Sequence, residues 1–145
     1  MNGRKRISWP ETALRLAFDI AKYRSEDPYL QVGAVAIKKD GSVILGYNGA
    51  PSGIEIDWSN RDERRKRVVH AEANVLNFVL PNEVGLLAVT HLPCPECMKI
   101  IAQKKIRNVF YLEVLPHYDN KLTHTLAKEF KIKLKKKDLL LDIQW

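Results

Sequence analysis

Cysteine occurs only twice in the 145 residues, at Cys94 and Cys97, three positions apart. So few thiols so close together cannot form the disulfide framework of a small secreted fold, so their expected use is chemical. Also missing are an apolar run long enough to cross a bilayer and, near Met1, the charged start, apolar stretch and small-residue cleavage site of a signal peptide. A soluble, intracellular, cytoplasmic protein with no membrane partner is expected. No internal repeat, low-complexity tract or Pro/Gly/Ser-rich linker divides the chain, so a single domain over 1–145 is expected, long enough to bury a core without staples. Negative charge is in deficit, with 17 Asp and Glu against 24 Lys and Arg, a formal charge of +7. The excess collects at 4–6, 61–67 and 131–137. Such a balance favours an anionic partner, nucleotide or nucleic acid, while the plain reading of a charge run is a solvated face, and that reading is preferred for 131–137.

What is present has a mixed order of periodicities. Ser8 followed by Glu11 is a capping-box pattern, and Leu14, Ala17, Phe18 and Ala21 give a helical apolar stripe to about Tyr23, so a first helix should end near Arg24. The β-rich runs 31–37 and 43–47 flank Asp40-Gly41 and should pair antiparallel. From 48 to 69 the chain reads as a long loop, with a short helix at its basic end, and loops of that length are usually functional. Residues 70–80 have helical composition and are stopped by Pro81-Asn82, whereas 86–90 is strand-like. A further helix starts at Cys94 and runs to about Lys105; 109–112 then reads as strand, 123–130 as helix, 132–134 as strand and 139–145 as an apolar tail. Strands alternating with helices after a hairpin imply a mixed sheet sandwiched by helices.

Two short motifs carry chemistry: His70-Ala71-Glu72 near one helix start and Pro93-Cys94-Pro95-Glu96-Cys97 at another. Each alone is ambiguous, since a lone His is usually packed or at the surface and a lone Cys-x-x-Cys fits a thioredoxin-like redox pair. Together they match the His-x-Glu and Pro-Cys-x-x-Cys signature of zinc nucleobase deaminases. The spacing puts both sulfurs on one helix face, and a helix N-terminus favours the thiolates that zinc needs. With His70 the count is three protein ligands and an open fourth position, the arrangement of catalytic zinc; a closed structural site would need His91, His117 or His124 as well. Glu72, two residues beyond the ligand, can reach water at the open position without occupying it and serve as the proton shuttle. It also suits the first turn of a helix by the dipole alone.

Beyond these motifs, Arg24-Ser25-Glu26-Asp27-Pro28 leading to Gln31-Val32-Gly33-Ala34-Val35, and Gly46-Tyr47-Asn48-Gly49-Ala50-Pro51, carry a resemblance from about Ala13 to Leu112. The sequence resembles the cytidine and deoxycytidylate deaminase superfamily, and within it the deoxycytidylate branch most closely. The resemblance implies a three-layer α/β/α fold with a central five-stranded mixed sheet, its last two strands parallel, and one catalytic Zn2+. It implies hydrolysis of dCMP to dUMP and ammonia, supplying dUMP for thymidylate synthesis. By it Asn48 contacts the sugar, Val32 packs on the base, the Ala71 N–H meets the pyrimidine carbonyl, and Arg24 and Ser25 are candidates for the 5'-phosphate. A helix C-terminus and a turn explain those last two equally. A homo-oligomer regulated by triphosphates, dCTP activating and dTTP inhibiting with Mg2+, is also implied. Gly46, Asn48, Gly49 and Arg65 are the candidate effector contacts, with Arg61, Arg64 and Arg67 as further charge. Two features depart from the pattern. The segment 51–70 has no Cys or His before His70, so a second, structural zinc is not expected, and Pro116-His117-Tyr118-Asp119 has the family's Tyr-His order reversed, so neither His117 nor Tyr118 is assigned a substrate role. The competing readings are a dCTP-accepting or bifunctional enzyme, a tRNA or single-stranded DNA deaminase sharing every zinc residue, and a non-catalytic zinc module that leaves Glu72 without a purpose.

Overall fold

In the computed structural model, which describes residues 5–116 and 118–139, the chain opens with helix α1, Trp9–Arg24. Arg4, His117 and the tail beyond Leu139 lie outside the described residues. Ser8 caps α1 by accepting a hydrogen bond from the Glu11 N–H (3.3 Å), and Ala13, Leu14, Ala17, Phe18 and Ala21 form its buried stripe, as the sequence pattern predicts. Strands β1 (Gly33–Lys38) and β2 (Val43–Tyr47) pair antiparallel around the Asp40-Gly41 turn, where Asp40 Oδ1 accepts from the Ser42 N–H (2.9 Å). The long loop carries the short helix α2 (Arg61–Arg67), capped by Asn60.

After it come α3 (Ala71–Leu76), β3 (Val84–His91), α4 (Pro95–Gln103), β4 (Asn108–Glu113), α5 (Asn120–Glu129) and β5 (Lys133–Lys136). The strand order is β2-β1-β3-β4-β5; β1 is antiparallel to both neighbours, and β3, β4 and β5 run parallel. This is the expected five-stranded mixed sheet with parallel final strands. The α1 stripe packs with Val35, Ile37, Ala88, Phe110 and Leu112 on one face. On the other, Val75, Leu76, Met98, Ile101 and Ala127 pack with Ala34, Ala36, Leu87, Val89 and Val109. Two cores, one on each face, make the three layers.

One boundary differs notably: α3 stops at Leu76, not near Leu80. The Phe78 and Val79 N–H groups reach carbonyls only three residues back (3.1 and 3.4 Å), and Lys104 Nζ holds the Val79 carbonyl at 2.7 Å. This tightened turn buries Val79 and leaves Phe78 and Leu80 exposed. The basic run ends as edge strand β5, whose outward lysines keep that edge solvated. Among the described residues no helix is long and apolar enough to cross a membrane.

Candidate active site

The carboxyl ends of the parallel strands β3 and β4 open onto a cavity of about 580 Å³, the usual place for a site in such a sheet. Leu92, following β3, donates its N–H to the Glu113 carbonyl at the end of β4 (2.8 Å), and Thr123 Oγ1 of α5 donates to the Pro93 carbonyl (2.9 Å). The strand-to-helix turn is thus fixed from two sides. Cys94 is then the N-cap of α4 and Cys97 lies in its first turn. On the opposite wall, paired backbone hydrogen bonds between Gly49 and Val69 hold the chain extended up to His70, the N-cap of α3. His70 Nδ1 stands 3.3 Å from Cys97 Sγ and 3.5 Å from Cys94 Sγ. The three donor atoms lie within 4.8 Å of one another.

Two buried thiols and an imidazole so close fit one soft divalent cation. Their proton affinities show why. Cys94 is lowered to about 4, chiefly by its hydrogen bond with Cys97, whereas Cys97 is driven strongly upward by the same bond, then by burial and by the charge of Glu72. Protons alone leave only one thiolate, while a cation at the centre would stabilise both. His70 is raised, first by its hydrogen bond with Cys94. The residues present therefore fit zinc. His91 and His124 do not join the cluster: His91 Nδ1 is 2.8 Å from Thr90 Oγ1 and His124 is exposed on α5, so neither supplies the fourth ligand of a closed site.

Glu72, in the first turn of α3, is 4% exposed, and burial raises its carboxyl above the ordinary range, with the His70 charge opposing. It lines the cavity beside Cys94 and His70. Ala71 and Val32 line it too, and Ala71, as the first residue of α3, has an N–H with no carbonyl partner inside the helix. Asn48 is buried, its Oδ1 accepting from the Val32 N–H (3.0 Å) and from Ser25 Oγ, and its Nδ2 donating to the Leu30 carbonyl (2.8 Å). An amide nitrogen carries two hydrogens, so one remains for a ligand.

The structure does not bring all the expected contacts together. Ser25 is spent on Asn48 and Arg24 is exposed at the end of α1; neither lines the cavity. Gly46 also stays out: a Cβ there would stand 2.5 Å from a Val75 methyl, so close packing of β2 on α3 accounts for the glycine. A Cβ on Gly49 would meet the Glu26 carboxylate. Arg65 does line the cavity, joined by Arg61 and Arg64, which the sequence offered only as general charge, and by Tyr29, His91 and Tyr118, to which it gave no substrate role. The Tyr118 ring lies 6.4 Å from that of His70, and its hydroxyl is pushed up to about 12, first by burial. Tyr118 follows β4 and His91 ends β3, so the parallel topology, not local pattern, delivers them.

Residues 7–113 match the family model described as the cytidine and deoxycytidylate deaminase zinc-binding region. The deoxycytidylate deaminase of Homo sapiens is 32% identical over 128 residues, spanning 81% of this chain and 71% of the human one. A solved structure of dCMP deaminase from the cyanophage S-TIM5, in complex with dCMP and dUMP, is 26% identical and superposes with a TM-score of 0.72, covering 92% of this chain and all of that one. A tRNA:A34 deaminase structure, 23% identical over 88% of this chain and 91% of its own, shares the fold with a TM-score of 0.58.

Proposed function

This chain belongs to the cytidine and deoxycytidylate deaminase family, and from that premise we propose that it hydrolyses dCMP to dUMP and ammonia. The observation that carries the reading is the convergence of His70, Cys94 and Cys97 beside the buried carboxyl of Glu72 in one cavity. The cyanophage dCMP deaminase complex and the human relative support the choice of nucleotide.

His70, Cys94 and Cys97 would hold zinc, which when bound supplies the Lewis acidity that makes water a nucleophile near neutral pH. The remaining chemistry belongs to the chain. The Ala71 N–H holds the pyrimidine carbonyl, Val32 packs on the ring, and the spare Asn48 hydrogen meets the sugar. Glu72 takes a proton from the attacking water, returns it to the ring nitrogen as the tetrahedral carbon forms, and helps protonate the amine that leaves. Burial raises its proton affinity, which suits a carboxyl that must accept the proton of the attacking water.

The deoxycytidylate resemblance supports a cytoplasmic homo-oligomer feeding thymidylate synthesis and answering to dCTP and dTTP with Mg2+. Ammonia release from dCMP, dCTP, deoxycytidine, guanine and a short oligonucleotide tests the reading. The expected result is turnover of dCMP with one zinc per chain, and Glu72→Gln keeping the metal while losing about a thousandfold in kcat. Zinc that survives replacement of both cysteines, or substantial activity in Glu72→Gln, would refute it.

A further inference from the structure

The exocyclic amine and the 5'-phosphate lie at opposite ends of a cytosine nucleotide. With the amine at the His70, Cys94 and Cys97 cluster, the phosphate reaches the end of the cavity away from that cluster, and helix α2 forms part of the cavity wall. Arg61, Arg64 and Arg65 all line that cavity. Among the described residues none of the three has a carboxylate within ion-pair distance: Glu63, on the same helix, pairs with Arg67 instead (3.8 Å), and Asp62 is outside the wall. The cavity's Asp27 turns its Oδ1 to the N–H groups of Tyr29 and Leu30 (2.8 and 3.2 Å). Arg64 is braced, its Nη1 donating to the Trp58 carbonyl (2.9 Å) and its guanidinium lying 4.2 Å from the Tyr29 ring centroid. Arg65 and Tyr118 line the same cavity, the Tyr118 ring 6.4 Å from that of His70.

Resting on the dCMP reading above, we infer that α2 is the phosphate clamp of the site: Arg61 and Arg65 grip the 5'-phosphate and Arg64, locked between Trp58 and Tyr29, positions the helix. Planar guanidinium forks match phosphate oxygens in pairs, and three cations without a carboxylate partner on one cavity select a dianion over a neutral nucleoside. The role expected of Arg24 passes to this helix, because Arg24 stands outside the wall.

The test compares kcat/KM for dCMP and deoxycytidine, and the dissociation constants of dUMP and deoxyuridine, in the zinc-loaded wild type and in Arg61→Ala, Arg65→Ala and Arg24→Ala. Each α2 variant should lose about 10- to 100-fold on dCMP and on dUMP, with the loss confined to the phosphate-bearing ligands. Arg65→Lys should recover part of it, since charge returns without the fork. Equal losses on nucleotide and nucleoside, unchanged dCMP kinetics, a larger loss in Arg24→Ala, or a wild-type preference for a short oligonucleotide over dCMP would each overturn the clamp. A wild type that deaminates neither substrate defeats the proposed function, yet the dUMP and deoxyuridine titrations still decide the clamp: dUMP selectivity lost in the variants sustains it, and no selectivity overturns it.

Discussion

Burial acts on two titratable residues of the cavity in opposite chemical directions. It raises Glu72, favouring the protonated acid, and lowers His91 to about 4, favouring the neutral ring. For Glu72 this suits the proton transfer proposed above; for His91 it has a consequence for stability. The folded chain keeps His91 neutral down to about pH 4, whereas the unfolded chain protonates it below its ordinary 6.5. Between those values the unfolded state binds more protons, so stability falls as the pH drops from about 6.5 to about 4, by at most about 3 kcal/mol. Denaturant titrations at pH 7, 5.5 and 4.5 should show His91→Gln losing less stability than the wild type over this window. Acid release of zinc is common to both chains, so the difference isolates His91. Parallel profiles would show that the imidazole is protonated in the folded state.

At the scale of elements, a backbone approach ties the site to the core. A Cβ on Gly33 would stand 2.0 Å from the Ala17 carbonyl oxygen and 2.8 Å from an Ile20 methyl, so β1 lies against α1 only because residue 33 has no side chain. The Gly33 N–H also donates to Thr90 Oγ1 (3.1 Å), which contacts His91. Gly33→Ala should therefore cost about 3 kcal/mol, and Ile20→Ala should recover little because the nearest clash is with backbone. Thermal unfolding decides it, and a loss below about 1 kcal/mol would mean that α1 shifts freely on the sheet. Elements with a complete local signal were legible: α1 had its cap and stripe, the hairpin its Asp40-Gly41 turn, α4 its Cys94 start. The end of α3 was not, because what turns the chain at Asn77 is the burial of Val79 and the grip of Lys104, the residue that caps the end of α4.

For the whole molecule, the convergence of His70, Cys94 and Cys97 was readable because each half is contiguous in sequence and the thiol spacing is itself helical geometry. The arginine wall of the cavity was not, since α2 joins the lining only when the long loop folds, and nothing in a run of arginines says which face it presents. The same assembly predicts how the protein responds to metal removal. His70 caps α3 and the two cysteines open α4, and both helices cover one face of the sheet against the larger core. A cation held by all three therefore cross-links two helices of that layer. Without it the site keeps a single thiolate while Cys97 stays protonated, so metal binding releases a proton and strengthens with rising pH. Free zinc at a thousandfold above its dissociation constant stabilises the folded state by about 4 kcal/mol. At roughly 3 °C per kcal/mol for a chain of this length, a chelator should lower Tm by about 12 °C. The shift should shrink as the starting pH is lowered and vanish in Cys97→Ser, whose hydroxyl is a poor zinc ligand. A Tm indifferent to chelator in the zinc-loaded wild type would show that His70, Cys94 and Cys97 bring α3 and α4 together by packing alone.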